Sequence, residues 1–204
     1  MSMHIKTIFL DIGSVLLTNG WDRKSRKLAL EKFNLNSEDF EPRHEDIFAL
    51  YEEGKATLDY YLDKTVFYKE RSFSADEFKT FMFAQSQPYS KMIDLFTRLK
   101  DKYKFKLVSV NNEGFELSVY RVDKFSLDTL FDFFITSCFV HIRKPDESIF
   151  KLALNLSYTK PEESIFIDDR TFNVETAIKL GFNAFRHIDY ESTKGELSRL
   201  GFSG

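Results

Sequence analysis

The sequence predicts an α/β protein: a Rossmann-like parallel sheet of five strands with a helical cap inserted after the first strand. Three observations predict it. Short apolar runs recur, each ending in polar or acidic residues; amphipathic helical patterns separate them; and one long early stretch carries helical patterns but no strand. Apolar strands that deliver polar groups to one edge, with helices between, are how a parallel sheet reads in a sequence.

Lys6–Ile12 is the first such run (Ile8, Phe9, Leu10), closing on Asp11 and then Gly13. Phe105–Val110 ends in Ser109 and the Asn111–Asn112 pair, Phe133–Thr136 in Ser137 and Cys138, and Ser164–Ile167 in Asp168 and Asp169. Ala184–Arg186 is a fifth, following Gly181. Met92, Phe96 and Leu99 recur at helical spacing, as do Ile149, Ala153 and Leu156; Val174, Ala177 and Ile178 do so again, with Gly181 as a stop. Between Thr18 and Pro88 the segments Glu38–Glu53, Thr57–Tyr68 and Ala75–Ala84 read as three helices, broken near Gly54 and at Ser72–Ser74. That stretch is too long for an ordinary crossover. The expected division is therefore a core of residues 1–17 and 89–204 with a cap over 18–88.

A chain of 204 residues fits one domain with an inserted module better than a string of modules. Its 29 basic and 32 acidic residues give a net charge of −3, which argues against a duplex nucleic-acid partner. The lone Cys138 cannot close an internal disulfide, pointing to a reducing compartment. His4 and Lys6 precede an apolar run over Thr7–Leu17 that imitates a signal peptide, but Asp11 interrupts it and no small-residue cleavage site follows. No stretch reaches the ~18 apolar residues of a membrane span. The expectation is a soluble cytoplasmic protein, monomer or homodimer, with neither nucleic-acid nor membrane partners.

Four pieces converge on one sheet edge: Asp11-Ile12-Gly13-Ser14-Val15, Ser109 with its asparagines, Arg143-Lys144-Pro145-Asp146, and Ile167-Asp168-Asp169. The set suits phosphoryl transfer. One carboxylate can attack phosphorus, a second can hold a divalent metal, a lysine neutralises charge, and a hydroxyl with backbone amides orients the group. Oxygen ligands with open positions favour Mg²⁺.

These motifs, in this order and spacing, resemble the haloacid dehalogenase superfamily, and within it the branch with a helical cap after the first motif. That branch includes bacterial glucose-1-phosphate phosphatases and the N-terminal phosphatase domain of soluble epoxide hydrolase. The resemblance runs from Ile8 to about His187. It implies an aspartate-nucleophile phosphatase acting on a small phosphorylated metabolite, with a sugar phosphate the class that the nearest branch suggests. Asp11 then matches the nucleophile, Ser109 the phosphate-binding hydroxyl, and Lys144 the lysine that steadies both. The Val110 amide and Asn111 would lie in the phosphate loop. Asp169 matches the principal metal carboxylate, with Asp168 beside it as an outer or second ligand. Asp11 and the Gly13 carbonyl would complete the set for Mg²⁺.

Gly13 departs from the pattern, because the family usually has an acid/base aspartate there, work worth roughly 10²–10⁴-fold in rate. Asn173 stands where many relatives have another acid, Val110 where an asparagine often follows the serine, and His141 where a glycine is common. Two alternatives follow: a catalytically weakened phosphate-binding or regulatory protein, made plausible by Gly13, and a metal-free haloacid dehalogenase. Trp21 and Tyr51 are expected to line the substrate pocket. Phe48, Tyr60 and Tyr61 read as cap core, Arg43, His44 and Glu52 as cap polar groups within conceivable reach of a substrate, and His141 as a loop histidine that could stand in for the acid/base.

Overall fold

Ile8, Phe9 and Leu10 have no exposed surface, because the first strand runs through the middle of the sheet. The computed structural model describes residues 4–203, so the outermost positions of the expected core, Met1–Met3 and Gly204, lie outside the described residues. In chain order, β1 (Thr7–Leu10) is followed by α1 (Arg23–Lys32), α2 (Ser37–Glu52), α3 (Leu58–Thr65), α4 (Ala75–Ala84) and α5 (Ser90–Tyr103). Next come β2 (Lys106–Asn111), α6 (Phe115–Lys124), β3 (Phe133–Thr136), α7 (Ser137–Val140) and α8 (Glu147–Ser157). The chain closes with β4 (Ser164–Asp168), α9 (Thr171–Lys179), β5 (Asn183–Arg186) and α10 (Tyr190–Arg199).

The sheet is wholly parallel, in the order β3-β2-β1-β4-β5. The chain crosses to opposite sides of β1 in its two halves. The carboxyl end of β1, where Asp11 sits, is therefore the switch point at which such sheets bind ligands. Strand alternation divides the core in two. Ile8, Leu10, Leu107 and Ile167 face Met92, Phe96 and Leu99 of α5. Phe9, Val108, Val110 and Phe166 face Ile149, Phe150 and Ala153 of α8.

The five expected strands form within two residues of their expected limits. The expected helix over Thr57–Tyr68 stops at Thr65. The insertion holds a helix that its sequence did not announce: α1, RKSRKLALEK, buries only Ser25, Ala29 and Leu30 and has too few apolar positions to show a stripe. It is set by its N-cap, where the Asp22 side chain accepts from the Ser25 N–H at 2.8 Å. Asn36, Thr57 and Ser74 cap α2, α3 and α4 in the same way.

The insertion has its own aromatic core, in which Phe78 meets Trp21, Phe33, Phe67 and Phe73. Leu117 of α6 joins that core and ties it to the sheet layer. The outgoing and returning chains run side by side: Leu17 pairs antiparallel with Pro88, and the Thr18 N–H donates to the Gln87 carbonyl at 2.8 Å. Gly54, just past α2, has φ +66°, and a β-carbon there would strike the Cys138 carbonyl. Only glycine lets α2 end against α7 in this way. Among the described residues, no helix is long and apolar enough to cross a membrane.

Candidate active site

At the carboxyl edge of β1 a cavity of about 410 Å³ opens between the sheet and the insertion. Lys144 lies at its floor, buried, with its ammonium fully engaged. It donates to Asp11 Oδ1 (2.8 Å), Asp168 Oδ2 (2.6 Å) and the Val110 carbonyl (2.6 Å). Burial lowers its basicity, but Asp11 and Asp168 outweigh that and hold its pKa above the ordinary lysine value. Burial likewise pushes Asp11 up to about 7, against the pull of Lys144. Asp169, partly exposed, is raised by burial and by neighbouring Asp168.

One lysine thus serves a cluster of three acids whose oxygens lie within 4.8 Å of one another. That uncompensated negative charge, presented by hard oxygen donors, fits a divalent cation such as Mg²⁺. Asp168 has little left to offer it. Besides Lys144, its oxygens accept from the Arg170 N–H (2.8 Å) and from Asn173 Nδ2 (3.0 Å to each). Asp168 therefore stands in the acidic cluster chiefly as a clamp on Lys144, the outer of the two roles expected for it. Asp11 and Asp169 offer side-chain donors, with Gly13 beside them on the cavity wall.

The second motif departs most from expectation. Leu10 is in register with Ser109, so Asp11 is level with Val110. Alternation turns Ser109 to the face of Leu107, away from Asp11. Its hydroxyl is fully buried, has no hydrogen-bond partner and does not line the cavity. Val110, also absent from the lining, is a core side chain within β2 whose amide belongs to a strand residue rather than to an open loop. The polar groups that β2 delivers are one and two residues later. Asn111 lines the cavity, and Asn112 grips the Lys144 peptide, donating from Nδ2 to its carbonyl and accepting at Oδ1 from its N–H (2.8 Å each). Asn112 was visible in the sequence only as a neighbour of Ser109; nothing local marks a residue whose partner is a backbone 32 positions away.

Trp21 lines the cavity as expected, its Nε1 donating to Tyr61 Oη at 2.8 Å. Tyr51 does not: it is buried against Tyr61 and the Gly114 backbone, a joint between insertion and sheet. His44 shares a hydrogen bond with Tyr61 Oη (2.8 Å) inside the insertion core, and burial lowers its pKa to about 4. Arg43 lies over the Tyr68 ring. His141 is exposed and bonds the Glu53 carbonyl (2.7 Å), away from the lining.

At Gly13 the place of a side chain is taken. A β-carbon would strike Asn19 Oδ1, and the Arg121 guanidinium stands 4.0 Å away. Asn19 is held there by its bond to Ser14 Oγ (2.5 Å). Three further acids line the cavity: Asp22, which caps α1, and two that are ion-paired. Glu113 pairs with Arg121 (2.5 Å), and Glu52, at the end of α2, pairs with Arg143 (2.6 Å).

A family model described as haloacid dehalogenase-like hydrolase matches residues 5–181. The solved structure of a Bacteroides thetaiotaomicron HAD family enzyme, in complex with magnesium and inorganic phosphate, is similar with a TM-score of 0.74. It shares 22% identity and covers 93% of this chain and 98% of that one. Glyceraldehyde 3-phosphate phosphatase of Pyrococcus furiosus is 24% identical over 183 residues, 83% of this chain and 75% of that protein. Rat bifunctional epoxide hydrolase 2 is 36% identical over 70 residues, 34% of this chain. The chain spans only 6–13% of the length of the first curated relatives that it matches.

Proposed function

Because the chain belongs to the haloacid dehalogenase-like hydrolases, we propose that it is a phosphatase releasing phosphate from a small phosphomonoester through an aspartyl-phosphate on Asp11. The observation that carries this reading is the ammonium of Lys144 held between Asp11 and Asp168 on a cavity floor that also offers Asp169. Lys144 fixes one oxygen of Asp11, which leaves the other as the attacking atom. A bond forms from that oxygen to phosphorus as the bond to the leaving oxygen breaks, and the leaving oxygen takes up a proton. Water then attacks the phosphorus, regenerates the Asp11 carboxylate and frees inorganic phosphate. Asp168 and Asn112 act on Lys144 from below and behind, so that its charge meets the phosphoryl oxygens at a fixed place. Asp11, Asp169 and the Gly13 carbonyl would hold Mg²⁺, which supplies charge neutralisation for the phosphoryl group.

The cavity volume suits a small metabolite, and the helical insertion serves as a cap excluding bulk water. A sugar phosphate fits the polar wall that includes Asn111, Asn112 and Trp21. The test is phosphate release with Mg²⁺ from a panel of small phosphomonoesters. Wild type should be active, EDTA should abolish activity, and Asp11→Asn should be inactive. Equal activity of wild type and Asp11→Asn overturns the mechanism.

A second reading has its own support. Gly13 has no acid, Asn19 fills its place, and Ser109 faces away, as in a phosphate-binding protein that does not turn over. It predicts that beryllofluoride binds with Mg²⁺ while no ester is cleaved.

A further inference from the structure

Phosphomonoester cleavage needs a proton for the departing oxygen and a base for the incoming water, and Gly13 supplies neither. Among the described residues, no histidine lines the cavity. The acids that do are Asp11, Asp22, Glu52, Glu113 and Asp169. Asp11 is the attacking group and Asp169 faces the cation site. Asp22 is spent on the N-cap of α1. Glu113 is buried against Arg121, which is itself bound to Ser86 Oγ and the Thr18 carbonyl. Glu52 remains.

Its position is fixed at both ends. The Glu52 carbonyl accepts from Ser137 Oγ at 2.5 Å, at the carboxyl end of β3. The next residue, Glu53, bonds His141 through its carbonyl. The Glu52 carboxylate meets Arg143, which directly precedes Lys144, so the acid from the insertion is tied to the segment that carries the lysine at Asp11. Arg143 is 36% exposed at its side chain and Glu52 only 12%, so the carboxyl is the sheltered member of the pair. The charged groups facing it are Arg143, Glu113, Arg170 and Lys144, and the dominant influence is burial, which raises its pKa to about 7. A carboxyl so placed exchanges its proton near neutrality, as an acid/base group must.

Resting on the phosphatase reading, we propose that Glu52 gives its proton to the leaving-group oxygen as Asp11 takes the phosphoryl group. Glu52 then removes a proton from the water that attacks the phosphoaspartate. Proton and charge balance over the two steps: the alcohol leaves protonated, and Glu52 recovers its proton from water.

A carboxyl that only fastens α2 to the sheet would make a different prediction, and leaving-group dependence separates the two. Glu52→Gln should lower kcat/KM for an alkyl phosphate by about 10²-fold or more. It should leave kcat/KM for p-nitrophenyl phosphate within a few-fold of wild type, because that leaving group needs no proton. Turnover of p-nitrophenyl phosphate by the variant should show a burst of one p-nitrophenol per enzyme as hydrolysis of the phosphoenzyme slows. Arg143→Gln, which cuts the same ion pair, should slow both esters alike and serves if Glu52→Gln does not fold. Equal slowing of both esters by Glu52→Gln, or selective loss of the alkyl ester in Arg143→Gln, overturns the role of Glu52. A wild type that cleaves neither ester overturns the phosphatase reading itself, and this assignment with it.

Discussion

Asn112 holds Lys144 by its main chain, both ends of the asparagine amide meeting the lysine's own N–H and carbonyl at 2.8 Å. The ammonium is thereby aimed twice, by Asp168 at its tip and by Asn112 at its root. Replacing Asn112 with Leu removes two sheltered hydrogen bonds, each worth about 0.5–1.5 kcal/mol. The expected result is a fall in kcat/KM for phosphate release of roughly 10–100-fold, measured by steady-state assay on a variant whose circular dichroism matches wild type. Unchanged activity would show that Lys144 is aimed without Asn112.

Asn19 and Gly13 share one volume. Installing the family's usual acid by Gly13→Asp should lower Tm, because Asn19 must leave its bond with Ser14. Removing the obstacle in the double variant Gly13→Asp/Asn19→Ala should recover most of that loss. Thermal melts of the three proteins, with Asn19→Ala alone as reference, check this. Additive losses would mean that the two side chains do not compete.

His44 makes the insertion sensitive to acid. Burial lowers its pKa to about 4 in the folded protein, against 6.5 for the ordinary imidazole. The unfolded chain therefore binds the proton first. Stability should fall as pH drops from about 6.5 to 4 and stay level with respect to this group below that. The loss is on the order of 3 kcal/mol. Denaturant titrations of wild type and His44→Gln across this range should converge towards low pH. Parallel curves would exclude the histidine as the source.

The sheet was legible because its strands are apolar runs that end in polar residues, a pattern that period and composition both carry. Phe133–Thr136 needed no adjustment, and Ala75–Ala84 none among the helices. The helix α1 was not legible, since a charged surface helix with one cap has little periodicity. At the site, Asp11, Lys144 and Asp169 could be read because each follows a strand or lies in a dense motif. Ser109 misled by a single position: a hydroxyl near a strand end looks correct until the register with Leu10 decides which face it takes. Glu52 and Arg143 lie 91 residues apart, one in the insertion and one in the sheet domain. Ion pairs of that kind depend on how the insertion lies against the sheet, which no local pattern encodes.

Leu17 and Pro88 stand opposite one another where the chain leaves and rejoins the sheet. Everything between them is spliced in at one seam, and no strand or crossover would have to be re-laid if it were exchanged. The insertion can thus be swapped as a cassette while Asp11, Lys144 and Asp169 keep their places. If Glu52 is the proton carrier, that cassette brings part of the chemistry with it, and a graft would transplant reactivity together with selectivity.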